Sequence, residues 1–216
     1  MKIAIVQPNL FPYKAYYDLA EKVDKFIFLD DVNYTSKNWM NKTLLKLNSS
    51  KYYFRIPLDY NEGDRILAKD VLTKDSKWKN KFLKFVTLQY KRAPNYNQVY
   101  PLIEEILSVP AKNLCHTAAY SVYRISDFLN HNTNFTFSSV SHSKVKKSYH
   151  EKIYEICKRE KASSYYVFAR QKGEFDEKKF LNAGIKVSYF TSYDNSYSVI
   201  DYLMHCPKAD FIKKNS

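Results

Sequence analysis

The sequence predicts an α/β fold: a mainly parallel sheet with helices on both faces and a mid-chain helical layer. Three observations predict it. Short apolar runs stop abruptly in polar residues, as Ile3-Ala4-Ile5-Val6 does at Gln7-Pro8 and Phe26-Ile27-Phe28-Leu29 does at Asp30-Asp31. Helical patterns alternate with such runs at both ends of the chain, the mark of a parallel sheet. Over about 76–130 three helical patterns follow one another without a strand. That reads as a helical insertion in one α/β domain spanning 1–216, with no linker or internal repeat.

The elements can be justified in order. The first strand is 3–6. Pro12 opens a helix, because its missing N–H costs nothing in the first turn, and Tyr16, Leu19, Ala20 and Val23 share one face. The free N–H groups of that turn, with Lys14 beside them, form a ready anion site next to Gln7. The second strand is 26–29. A polar stretch follows, with Asn33, Tyr34, Lys37, Trp39, Asn41 and Lys42. A third strand is expected at 51–58, then a polar segment at 60–76 that turns at Gly63. Helices follow at 77–92, whose outer face is densely basic, at 98–107 and at 114–129. Alternation resumes with strand 134–139, helix 146–160, strand 164–169, helix 174–183, strand 185–190 and helix 198–206. Gly184 is expected to close the helix before it in the left-handed conformation.

Composition narrows the function classes. With only 3 glycines among 216 residues, neither a P-loop nor G-x-G-x-x-G is present. Any phosphate would be met by helix N-termini, Lys and Arg. The net charge of +13 favours an anionic partner, such as a nucleotide-sugar, RNA or an acidic membrane face. The alternative is a chain that uses lysine as its default polar residue. The 3 cysteines are far apart without C-x-x-C, which reads as a reduced, cytoplasmic protein without structural zinc. Met1-Lys2 runs straight into a strand, so no signal peptide is expected, and no apolar run is long enough for integral membrane association.

Several residues are candidates for chemistry. In an open α/β sheet ligands bind outside the carboxyl ends of the strands, which places Gln7, Asp30 and Asp31 on one rim. Asp30 or Asp31 would orient an amine or hydroxyl, with only one facing the site because adjacent strand residues point opposite ways. The plain alternative is a strand end followed by a turn acid. Two carboxylates without D-x-D or EF-hand spacing are too few for a hard cation, so no metal and no cofactor is expected. Lys37, Trp39 and Asn41 alternate along the stretch that ends at Lys42. Trp39 is either a stacking platform for a base or sugar or a loop anchor, and Lys37 and Lys42 would meet phosphate. Ser138 and Ser139 end a strand just before Lys144, Lys146 and Lys147. His142 in that stretch is a candidate base near neutral pH, or a surface histidine. The Ser/Lys stretch resembles the Lys-Met-Ser-Lys-Ser loop of HIGH-type nucleotide-binding folds. However, Lys14-Ala15-Tyr16-Tyr17 stands where H-x-G-H would be, which argues against adenylate-forming chemistry.

Taken together, Gln7-Pro8, Phe11-Pro12-Tyr13, Val23-Asp24-Lys25-Phe26, Asp30-Asp31-Val32-Asn33-Tyr34 and Trp39-Met40-Asn41-Lys42 resemble the opening motif of the WbqC-like protein family. Ile56-Pro57-Leu58, Ala93-Pro94-Asn95-Tyr96, Ser138-Ser139 and 198–204 extend the resemblance over nearly the whole chain. Asn33 stands for the family's usual Gln, Lys42 for its Arg, and Gly173-Glu174-Phe175 for a longer Gly-Gly segment. The resemblance implies a place in surface-polysaccharide (O-antigen-type) biosynthesis. It further implies an acyl or aminoacyl (glycyl) transferase acting on an amino sugar or nucleotide-sugar; if the donor is an aminoacyl-tRNA, the basic helix at 77–92 would meet its phosphates. Asp30, Asp31, Lys37 and His142 would then be catalytic. Gln7, Pro8, Tyr13, Lys14, Asn33, Tyr34, Trp39, Asn41, Lys42, Ser138 and Ser139 would bind substrate. The alternative is a non-catalytic nucleotide- or RNA-binding accessory protein.

Overall fold

A parallel strand covered on both faces needs apolar side chains in both directions, so it reads as an unbroken apolar run. The computed structural model, which describes residues 1–35, 39–48, 50–61, 64–143, 148–191 and 197–207, shows this for both leading strands. In β1 (Lys2–Val6) and β2 (Lys25–Phe28), Ala4, Phe26 and Phe28 face one core, and Ile3, Ile5 and Ile27 the other. The two pair in parallel, Val6 opposite Phe28. Between them α1 (Lys14–Glu21) buries Tyr16, Leu19 and Ala20, as its periodicity predicts.

The next segment departs from expectation. Strands β3 (Lys42–Leu47) and β4 (Ser50–Arg55) form an antiparallel hairpin separate from the main sheet. The sequence predicts one strand there, at 51–58, and no strand at 42–47. Thr43, Leu44 and Leu45 are buried in succession, so β3 carries no period-two signal. The expected turn at Gly63 lies outside the described residues.

A 3₁₀ turn at Ala68–Asp70 leads into α2 (Lys77–Tyr90), α3 (Tyr96–Ser108) and α4 (Leu114–Phe128). These are the mid-chain layer. Their buried faces, Trp78, Phe82, Val99, Ile103, Val122 and Ile125 among them, join the core of α1 and the hairpin.

Strand β5 (Asn134–Phe137) pairs with β2 and ends one residue before Ser138. Ser138–Ser141 is a short helical turn, α5, not the strand end the sequence predicts. α6 (Tyr149–Arg159), β6 (Ser164–Phe168), α7 (Glu177–Asn182), β7 (Lys186–Phe190) and α8 (Val199–His205) complete the alternation. Gly184 takes φ +73°, the expected left-handed conformation after α7. The five-stranded sheet has the order β5-β2-β1-β6-β7, all parallel. α1 and α4 cover one face, α6 and α7 the other. Among the described residues no helix is long and apolar enough to cross a membrane.

One buried group makes stability depend on pH. His131, after α4, is pushed down to about 4, chiefly by burial; Asp18 opposes this and Lys14 adds to it. Glu21 stands 4.0 Å from its Nε2. An unfolded histidine titrates near ~6.5, so between about pH 6.5 and 4 the unfolded chain binds the extra proton. The folded state is therefore expected to lose on the order of 2–3 kcal/mol across that window. Urea unfolding of His131→Asn is expected to show a flatter pH dependence there; an unchanged slope would exclude His131 as its source.

Candidate functional site

The winding of the sheet reverses at one place. From β1 the chain steps to β2 and β5 on one side, then returns to β6 on the other side of β1 and continues to β7. Open α/β sheets bind ligands at such a switch point, outside the carboxyl ends of the two diverging strands. Here that is the gap between the 7–13 segment after β1 and the 3₁₀ turn Ala169–Gln171 after β6. The sequence places the rim at β1 and β2. Those strands are indeed neighbours, but the reversal lies on β1's other edge.

The 7–13 segment is fixed from four directions. The Tyr16 hydroxyl donates to the Gln7 carbonyl at 2.8 Å, and Thr43 Oγ1 to the Leu10 carbonyl at 2.9 Å. Ser198 Oγ donates to the Phe11 carbonyl at 2.7 Å, and the Val199 N–H to the Pro12 carbonyl at 2.8 Å. The Phe11 N–H donates to Ser121 Oγ at 3.2 Å. Phe11 itself has φ +45°, a left-handed conformation costly for a side chain of that size. Such strain persists only where surrounding contacts over-determine it, and it gathers at functional sites. Its ring is buried and stacks on Phe82 at 5.3 Å.

This bracing presents Tyr13 to the switch point. The Tyr13 ring lies 5.8 Å from Phe168, the last residue of β6. The Arg170 guanidinium stands 5.7 Å from the Tyr13 ring and 5.1 Å from the Phe168 ring. Burial raises the Tyr13 phenol above its ordinary range, and Arg170 partly offsets this. Tyr13 also shares a small cleft with Asn9, Trp39 and Lys42. Its enclosed part is about 20 Å³, room for one water-sized group. A larger ligand would therefore lie along the rim. Trp39 is 42 % exposed and packs 5.8 Å from Tyr53. Arg55 covers the Tyr53 ring at 5.9 Å and sits directly opposite Lys42 in the hairpin. Burial and then Arg55 lower the Lys42 amine. Like charges facing across a strand pair are destabilising.

The acids form a neighbouring cluster at the end of β2. Asp30 is buried, and both its oxygens are occupied. Oδ1 accepts from the Ser139 N–H at 2.9 Å and lies 3.0 Å from Ser138 Oγ, whose one proton it shares with Asp31, and Oδ2 accepts from Ser139 Oγ. Asp30 thus fastens the end of β2 to the first turn of α5. Asp31 accepts from Ser138 Oγ and forms a buried ion pair with Lys152 of α6, whose Nζ also donates to the Asp31 carbonyl at 3.1 Å. Both acids are engaged, where the sequence expects one to face a site.

The remaining candidates fall elsewhere. The Tyr34 N–H donates to the Ile66 carbonyl at 2.8 Å, Asn33 bridges to Leu67, and the buried Tyr34 ring packs on Tyr60. Asn41 Nδ2 donates to the Ile56 carbonyl at 3.4 Å. These three fasten 33–34 and 41 to their neighbours. Lys14 pairs with Asp18 at 2.7 Å and lies over the Tyr202 ring. His142 Nε2 is 2.9 Å from Glu160 Oε1, which also accepts from Lys25, the first residue of β2. Burial pushes the Glu160 carboxyl up, but those two bonds outweigh it and hold it below its ordinary range. His142 is buried, and its backbone N–H donates to the carbonyl of Ser138, one helical turn back, at 2.8 Å. Lys37, Lys144, Lys146 and Lys147 lie outside the described residues.

The structure therefore brings Tyr13, Trp39 and Lys42 together on the rim with the segment that begins at Gln7-Pro8. It groups Asp30, Asp31, Ser138 and Ser139 beside it. It adds Arg170, Arg55, Tyr53 and Lys152, which the sequence reading misses. Arg170 carries the same signal that marks Gln7, a polar residue just past an apolar strand. Lys152 lies three residues after Tyr149, on the inward face of α6. Among the described residues no group of His, Cys, Asp and Glu is placed to hold a metal ion.

The chain matches the WbqC-like protein family over residues 7–212 and belongs to it. It is 24 % identical over 197 residues to the uncharacterized protein Rv1507c of Mycobacterium tuberculosis (strain ATCC 25618 / H37Rv), covering 89 % of this chain and 83 % of that protein. No solved structure matches the chain.

Proposed function

We propose, from membership of this family, that the protein is a cytoplasmic transferase of surface-polysaccharide biosynthesis. Its switch-point rim binds a nucleotide-sugar or amino sugar, onto which it transfers an acyl or aminoacyl group. The observation that carries this reading is Arg170 standing over Tyr13 at the β1–β6 switch point, with Lys42 and Trp39 alongside. Cations meet phosphate, and aromatic faces meet a base or sugar ring. The transfer forms one N–C bond and breaks the donor's ester or thioester bond, and the amine loses a proton. Such a step needs proximity, a proton acceptor and donors for the oxyanion. Asp31, at the end of β2, would orient the amine, and the Gln7 amide would face the oxyanion. Asp30 and Asp31 each have both oxygens occupied, so Asp31 takes this role by exchanging Ser138 or Lys152 for the amine.

The test is the mass of a UDP-amino sugar after incubation with the protein and a panel of acyl donors, charged tRNA included. A donor-dependent gain of one acyl group is expected. An unchanged acceptor mass with every donor overturns the transferase reading. The non-catalytic RNA-binding reading draws on the exposed Lys77, Lys81 and Lys84 of α2 and on Lys91 just after it. It would be favoured if the unchanged mass came with salt-sensitive RNA binding.

A further inference from the structure

On the far side of β2 from the rim, the edge strand β5 and helix α4 enclose a cleft of about 460 Å³. That lies in the size range of small-molecule sites. We propose that this cleft is a second binding site, for an uncharged, ring-bearing apolar molecule or substituent.

Three observations carry the assignment. The first is charge. Although the chain carries a net charge of +13, no Lys, Arg, Asp or Glu among the described residues lines the cleft. Burying an ion in such a lining would cost far more than burying a neutral group. The second is shape. Phe28 and Phe135 stack at 5.7 Å, and Tyr123 meets Phe135 edge-on at 6.2 Å. These flat walls favour a ring through offset or edge contacts, beyond the area they bury. The third is polarity. Of the four hydroxyls in the lining, Thr117 Oγ1 already donates to the Asn113 carbonyl, Thr136 Oγ1 is bonded to Ser141 Oγ, and the Tyr120 hydroxyl donates to Glu105 at 3.4 Å. The exposed His116, whose ring meets Phe137 at 5.5 Å, and the hydroxyl of the exposed Tyr123 are left to hold one polar substituent. A volume of about 460 Å³ matches a small-molecule site, and the occupant proposed is a small molecule.

The cleft shares no lining residue with the Tyr13 cleft, and this inference does not depend on the proposed transferase activity. The test is fluorescence titration of the full chain with N-phenyl-1-naphthylamine, a neutral apolar probe. Saturable binding of one probe per chain is expected. Ala119→Phe, which fills the cleft, and Tyr123→Ala, which removes a wall, are each expected to weaken it about tenfold or more. Leu88→Ser, at a leucine 88 % exposed on α2, is expected to leave binding unchanged. If Ala119→Phe fails to fold, Tyr123→Ala decides. Absence of saturable binding overturns the proposal. So does an affinity that the folded cleft variants leave unmoved, or one lost with Leu88→Ser.

Discussion

Lys152→Met is expected to lower the free energy of unfolding by about 3–5 kcal/mol, the usual consequence of stranding one partner of a buried ion pair. Methionine replaces most of the lysine's apolar stem, so the loss isolates the charge. Lys152 is 4 % exposed and its amine meets both the carboxylate and the carbonyl of Asp31. Without it the Asp31 carboxylate keeps only Ser138 Oγ as a described donor. Removing the stranded charge as well, in Asp31→Asn with Lys152→Met, is expected to recover most of the loss, because a neutral amide is far cheaper to bury. Urea unfolding checks this through the midpoint, provided the slope is unchanged. A loss under about 1 kcal/mol in the single variant would mean that the pair is hydrated and weak, like a surface salt bridge.

What was legible in the sequence follows the reach of local patterns. β1 and β2 announce themselves because both faces are buried, and α1 because one face is. Gly184 announces the end of α7 because few other residues tolerate its backbone. β3 is silent because its buried residues run consecutively and lack alternation. Ser138 misleads because it directly continues the strand pattern of β5, while its hydroxyl caps the carboxylates of Asp30 and Asp31 from another part of the chain. Strand order has no local signature at all. The rule that polar residues after buried strands make the rim picks out Gln7 and the acids from sequence. Only topology shows that the winding reverses towards β6, which brings in Arg170. Lys152 was legible in principle as a lysine on an inward helical face. Its partner, 121 positions away, was not.

Arg170→Ala tests the central claim, that an anionic ring-bearing ligand is held at the carboxyl ends of β1 and β6. Arg170 rests over the Tyr13 and Phe168 rings, so its guanidinium is pre-positioned and little side-chain freedom is lost on binding. A charge-assisted bond of this kind contributes about 1.5–3 kcal/mol, or roughly 10–100-fold in affinity. The direct measurement is calorimetric titration of UDP-glucosamine into the parent protein and Arg170→Ala, at low and high salt. The account predicts saturable binding to the parent that weakens with salt, and a loss of at least about tenfold in the variant, with the fold retained. Equal affinity in the two proteins, or no binding to either, would contradict it.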